Sequence, residues 1–149
     1  KALVFRFPNV IGPHLTHGVI FDFIRKLQAD SENLEILGDG NQTKPYIYVA
    51  DLVEAIMQFM NEIEDAENPV TLYNIGVETA TSVKCIADII CEEMKLDNVT
   101  YHFTGGAGGW KGDVPRFTYC LDKVHQAGWT AKCESDDAVR RTVRHALGV

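Results

Sequence analysis

Short apolar runs alternate with amphipathic helical stripes along this chain, and that alternation limits the possible folds more than any other feature. Residues 1–7 (KALVFRF) read as a strand, and FPNVIGPHLTHG reads as a loop punctuated by two prolines and two glycines. Val19, Ile20, Phe23, Ile24 and Leu27, within 19–30, recur at helical spacing. LEIL at 34–37 is a short strand, GDGN at 38–41 a turn of residues that tolerate positive φ, and PYIYV at 45–49 a further strand. Asp51 is read as the N-cap of a helix whose apolar face is Leu52, Val53, Ile56, Phe59 and Met60.

The second half repeats the pattern. TLYNIG at 71–76 reads as a strand, and Ser82 caps a helix running through Lys95 with Val83, Ile86, Ile89, Ile90 and Met94 inward. VTYHF at 99–103 is a strand, followed by the glycine-rich loop GGAGGWKGD. A short strand around Phe117–Leu121 leads to a small helix from Asp122, and Ser135 begins an amphipathic helix over 136–147. A chain of 149 residues with this order belongs to the α/β class, as one domain or part of one.

Composition narrows the function. A formal net charge of −7 argues against a nucleic-acid partner, because a phosphate-backbone binder needs a dense basic face. No apolar run is long enough to cross a membrane as a helix. Cys85, Cys91, Cys120 and Cys133 lack the C-x-x-C spacing of a zinc knuckle or a dithiol pair, so no metal site is expected and the chain is read as cytoplasmic and reduced. An apolar strand at the first residue predicts that further chain belongs upstream of it.

Three loops carry groups a ligand could use. In Arg6-Phe7-Pro8-Asn9-Val10-Ile11-Gly12-Pro13, the asparagine at a strand's carboxyl end can offer a donor and an acceptor to a ligand. It can equally satisfy its own backbone in a turn. In Gly38-Asp39-Gly40-Asn41-Gln42-Thr43-Lys44, glycines permit close backbone approach and Lys44 is a point charge suited to phosphate, or else a solvated lysine beside a turn. The loop from Gly105 to Pro115 lacks G-x-G-x-x-G spacing, and reads as a lid with Trp110, Lys111 and Asp113 or as a surface loop.

Taken in order, RFPNVIGP, LEILGDGNQTKPYIYVADLVEAI, TLYNIG, GWKGDVPRF and LDKVHQAGW resemble the NAD-dependent epimerase/dehydratase branch of the extended short-chain dehydrogenase/reductase family. Within it the likeness is to UDP-glucose 4-epimerase-type nucleotide-sugar enzymes. The resemblance implies that residues 1–149 are the carboxy-terminal, nucleotide-sugar-binding portion of an extended Rossmann-type protein, with strands that belong to a larger parallel sheet. It implies a UDP-sugar substrate for the parent, an isomerase interconverting the sugar's C4 configuration through a keto intermediate. Related dehydratase, reductase or decarboxylase chemistry, or a stand-alone sugar-nucleotide binding module, are the alternatives.

Residue by residue, the resemblance places Asn9 on the substrate's diphosphate or sugar. Val19 opens the helix whose amino end approaches the diphosphate. Glu35 to Leu37 fall on the strand whose backbone meets the uracil edge. Lys44 stands where most relatives have a phosphate-binding arginine, and Asp113 matches the acidic residue at the ribose hydroxyls. Phe7 and Pro8 fall beside the nicotinamide end of NAD. Two departures leave uridine, thymidine and guanosine nucleotides open: Trp110 stands where the family has a second arginine, with Lys111 beside it as a substitute, and Pro45 stands where an aspartate is usual.

The family's glycine-rich cofactor loop and its Tyr-x-x-x-Lys pair would lie upstream, so this chain alone is expected to hold no catalytic residue and not to bind NAD. Tyr119 and Lys123 match Y-x-x-x-K in spacing, but Asp122 breaks the helix on which both would have to sit, so the match is read as coincidence. Strands 1–7 and 71–76, with Leu3, Phe5, Leu72, Tyr73 and Ile75, are expected to leave an apolar face that drives self-association.

Overall fold

In the computed structural model, which describes residues 1–61, 68–106, 112, 114 and 116–149, strands and helices alternate as the sequence predicts. The order is β1 (Ala2–Arg6), β2 (Asn9–Ile11), α1 (Val19–Ala29), β3 (Asn33–Ile36), β4 (Thr43–Lys44), β5 (Tyr46–Tyr48) and α2 (Val49–Met60). It continues with β6 (Val70–Asn74), β7 (Thr81–Ser82), α3 (Val83–Met94), β8 (Thr100–Phe103), α4 (Asp122–Gln126) and α5 (Ser135–Leu147). β1 pairs with β6, β2 with β5 and β3 with β8, all parallel, while β4 and β7 run antiparallel. The chain is therefore α/β with parallel strand pairs, as expected.

Two apolar cores form, and β5 divides them. Successive strand residues point to opposite faces. Tyr46 accordingly enters a core made by α1, α3 and α5 with β3, while Ile47 enters a second one with Leu52, Phe59, Tyr73, Ile75, Val124 and Trp129. β2 repeats the device, with Ile11 in the first core and Val10 against the second. In the first core, Leu27, Leu34, Ile36, Ile86, Ile90, Val139 and Val143 are almost wholly removed from water. Each such side chain contributes about 1.5–3 kcal/mol of transfer free energy. Arg140 ties α5 to α3 through Glu92 and Glu93, and Arg144 reaches the same Glu93.

Four local expectations need correction. Asp51 does not cap its helix. α2 begins at Val49 with Tyr48 before it, and Asp51 sits buried in the first turn. Its Oδ2 accepts the backbone N–H groups of Lys132 and Cys133, each at 3.0 Å, so the carboxylate pins a distant loop. Val53 and Met60 face outward, while Ala55 takes the inward position. Asn9–Ile11, read as loop, is a strand because β5 offers it a partner. Residues 117–121 form no strand among the described residues: Phe117 and Tyr119 pack edge to face, and the Tyr119 hydroxyl donates to the Phe7 carbonyl at 3.2 Å.

The start of α3 is as the sequence predicts. Ser82 caps α3 by accepting the Cys85 N–H at 3.0 Å. The four cysteines are free thiols, and burial, with Asp136 next to it, pushes the Cys85 thiol above its ordinary range. Among the described residues no helix is long and apolar enough to cross a membrane.

Candidate functional site

Parallel α/β pairs leave a crevice at the carboxyl ends of their strands, where loops can carry ligand-binding groups. Here the chain leaves β1 through exposed Phe7 and buried Pro8 and enters β2 at Asn9, opposite Tyr46. It then turns at Gly12, which is buried at φ +152°, where a Cβ would lie 2.5 Å from Val49 Cγ1. Only glycine fits that approach. The turn leads through His17 to Gly18, which precedes α1 and supplies no side-chain cap. The first-turn amides, which have no intrahelical acceptor, therefore lie at the wall formed by Gly18, Val19 and Ile20.

The opposite wall comes from the segment after β3. Its turn is held at many points. Thr104 Oγ1 accepts the Gly38 N–H at 2.9 Å, and Gly105 N donates to Gly38 O at 2.9 Å. Asp39 accepts the Asn41 N–H at 2.9 Å, a bond that holds the Asp39 carboxyl below the usual carboxylate range. Val83 N donates to Gln42 O at 2.9 Å and Lys84 N to Gly40 O at 3.0 Å, so this turn also caps α3. Thr43 and Lys44 then zip against Ser82 and Thr81. The backbone that presents Lys44 is thus fixed on both sides.

Between these walls lies a cavity of about 830 Å³, within the usual range for small-molecule sites. It gathers Phe7, Pro8, Asn9, Val19, Leu37 and Lys44 from three separate stretches of sequence. Glu35 is not in its lining; its carbonyl accepts Lys26 Nζ at 3.2 Å and its side chain is exposed. Lys111 and Asp113 lie outside the described residues. Gln42, Tyr46, His17 and Val83 also line the cavity and were not singled out from sequence. Period-two spacing from Lys44 was the available signal for Gln42 and Tyr46.

Charge at the site is mixed. Asp22, in the first turn of α1, would oppose an anion there, but Arg25 and Lys26 engage it at 3.1 and 3.0 Å. Tyr119 and Lys123 do not form a pair: Lys123 Nζ donates to Leu72 O at 2.8 Å and lies over the Tyr73 ring. The residues described also do not fit a whole dinucleotide. The chain has no G-x-G-x-x-G turn into a helix to cradle a pyrophosphate, and Phe7 and Pro8 offer one wall only.

Known proteins place this architecture. The chain is 31% identical over 144 residues to a putative UDP-glucose 4-epimerase of Methanocaldococcus jannaschii, covering 94% of this chain and 44% of that protein. It is 30% identical over 147 residues to a mouse (Mus musculus) dTDP-D-glucose 4,6-dehydratase, covering 95% of this chain and 40% of that protein. Among solved structures, a UDP-galactose 4-epimerase superposes with a TM-score of 0.84 at 33% identity, over 98% of this chain and 45% of the other. The chain thus spans under half the length of the relatives it matches. Residues 1–76 match the family described as NAD dependent epimerase/dehydratase, and with them more than half of the sequence; the chain belongs to that family.

Proposed function

We propose that this chain is the nucleotide-sugar-binding portion of an NAD-dependent sugar epimerase, with a UDP-sugar as substrate. The observation that carries the reading is the cavity itself, which joins Asn9, the amino end of α1, Leu37 and Lys44 from separate stretches of the sequence. Its parts divide the ligand. Helix-terminal amides and Lys44 suit a diphosphate, since amide donors and a cation both favour anionic oxygen. Asn9 supplies a donor and an acceptor to the same region. Leu37, a half-exposed apolar side chain, suits the flat face of a base.

In this role the chain holds and orients the substrate, and orientation alone lowers a barrier substantially. The bond chemistry would come from NAD, which when bound supplies hydride transfer, and from groups outside these residues. A second reading, a 4,6-dehydratase on a dTDP-sugar, is favoured by the similarity to the mouse enzyme over nearly the same span.

Titration with UDP, followed by NMR shifts, tests the proposal. Binding is expected at roughly millimolar to high-micromolar strength. Shifts should cluster at Asn9, Val19, Leu37 and Lys44 and weaken as salt rises. Lys44→Ala should reduce affinity several-fold, and Lys132→Ala, an exposed lysine paired with Glu54 and outside the cavity lining, should not. Equal effects of the two variants, or scattered shifts, would overturn the site. NAD should give no response, and a micromolar dissociation constant for it would refute the division of labour.

A further inference from the structure

Behind the cavity wall runs a chain of hydrogen bonds through side chains that the ligand never meets. Tyr46, a lining residue on β5, donates its backbone N–H to Ser135 Oγ at 3.1 Å. Ser135 Oγ lies 2.6 Å from Thr81 Oγ1, and Thr81 Oγ1 lies 2.5 Å from Asp136 Oδ1. Asp136 Oδ2 accepts from the Cys85 thiol at 3.8 Å, and the Ser135 N–H donates to Thr79 Oγ1 at 2.9 Å. Ser135 and Thr81 are buried, whereas Asp136 reaches solvent in the first turn of α5. None of the three is in the cavity lining.

Proton counting fixes the direction of each bond. A hydroxyl has one proton to give, and an ionised carboxylate has none. Thr81 must therefore donate to Asp136, which leaves it only lone pairs for Ser135. Ser135 must then donate to Thr81, which leaves it only lone pairs for the Tyr46 N–H. Every donor points toward Asp136, and bonds aligned in this way polarise and strengthen one another. The carboxylate is well placed to end the chain, because the first turn of a helix favours negative charge.

The other end of this chain is the segment that carries the cavity's lysine. Among the described residues β5 has one strand neighbour, β2, and Ser135 takes the Tyr46 N–H where a further strand would. Thr81 is also the antiparallel partner of Lys44. Lys44 and Tyr46 are thus both tied to Thr81, one through the ladder and the other through Ser135.

We propose that Thr81 and Asp136 are positioning residues for the ligand, setting the placement of Lys44 and Tyr46 from outside the cavity. This rests on the nucleotide-sugar reading, which supplies the ligand, and adds to it residues that touch none of that ligand. A purely structural role would lower the melting point and leave the affinity of the folded chain unchanged. A positioning role alters that affinity and the Tyr46 amide together.

The test follows both in Thr81→Val, Thr81→Ser and Asp136→Ala, by two-dimensional amide NMR with UDP as the probe. Valine keeps the shape of threonine without its hydroxyl, and serine returns the hydroxyl. Thr81→Val should move the Tyr46 amide proton upfield, speed its exchange with water and weaken UDP binding about fivefold, the order of one hydrogen bond. Thr81→Ser should bring both readouts back toward wild type. Asp136→Ala, at an exposed position, should move them as valine does, and carries the test if Thr81→Val fails to fold. UDP affinity unchanged in Thr81→Val and Asp136→Ala but reduced in Lys44→Ala overturns the inference and leaves the nucleotide site intact. A loss in Thr81→Ser as large as in Thr81→Val overturns it as well. A wild-type chain that binds no UDP overturns the nucleotide reading, and the inference with it.

Discussion

The two cores use similar residues and reach different ends. Around β3, helices α1, α3 and α5 close on one another, and Leu34, Ile36, Ile86 and Val139 lose all contact with water. Around β6, Ile47, Phe59, Ile75 and Val124 are buried as completely, yet the same layer leaves Val53, Met57 and Met60 of α2 at 52%, 59% and 53% exposure, with Val4 and Val70 also open. Exposed apolar side chains in the first region, such as Phe21 and Phe103, stand on separate elements. Those of α2 fall at i, i+4 and i+7, on one stripe. A helix with one apolar face needs one neighbour, and a helix apolar on two faces needs two. α1 has Asp22, Arg25 and Lys26 along its outer side, where α2 has a valine and two methionines.

The most damaging way to probe this contrast is to cut each region by one side chain. Ile90→Ala should cost about 3–4 kcal/mol by chemical denaturation, because a closed core cannot collapse around the cavity. Val53→Ala on the open stripe should cost under about 0.5 kcal/mol. Equal costs would erase the distinction between the two regions.

The seam between α2 and the loop before α5 comes next. Asp51→Ala strands the Lys132 and Cys133 amides, and should cost about 2–3 kcal/mol. Asp51→Asn, which keeps an acceptor oxygen, should cost clearly less. A smaller loss for alanine than for asparagine would show that the amides find water instead.

In the first region, the Arg144 and Arg140 guanidiniums hold the Glu93 carboxyl below its usual range. Its folded pKa is depressed, so its contribution is present above the unfolded value and lost as pH falls through the folded one. Glu93→Gln should cost about 1 kcal/mol at neutral pH and flatten the acid limb of the stability curve below about pH 4. An unchanged acid limb would remove Glu93 from the account.

Smallest in stability is the triple change of Val53, Met57 and Met60 to serine. It should leave the melting point nearly unmoved while lowering self-association measured by light scattering. The expected apolar face has a different make-up from the sequence reading: Tyr73 and Ile75 are buried by α2 and α4 contacts, and the exposed stripe belongs to α2. A wild-type chain that stays monomeric at high concentration would end that expectation.

What could be read from sequence follows the range of the forces involved. α1 and α3 were legible because a helix carries its own hydrogen bonds and its own period, and the Ser82 cap acts three residues away. β2 was missed because Asn9-Val10-Ile11, between two prolines, becomes a strand only by pairing with Tyr46–Tyr48. Asp51 looks like a cap in sequence because its true partners are 81 and 82 positions away. Phe117 and Tyr119 alternate as a strand would, but spend that alternation on a ring contact and on the Phe7 carbonyl. At the site, the resemblance named six residues that the cavity gathers, and it passed over His17, Gln42 and Tyr46, which line the same cavity.

The parallel pairs have a consequence for how the chain acquires its shape. Arg6 meets Asn74 at a separation of 68 positions, and His102 meets Asn33 at 69. A parallel pair admits no tight hairpin, so each closure must gather a long loop before any ladder bond rewards it. During synthesis β1 emerges before β6 and waits for it with its valine and leucine unpaired on that side. Folding should therefore run on the slow scale of non-local topologies, with α1 and α3 as the early local structure, and the interval before β6 arrives is when the nascent chain is most open to wrong partners.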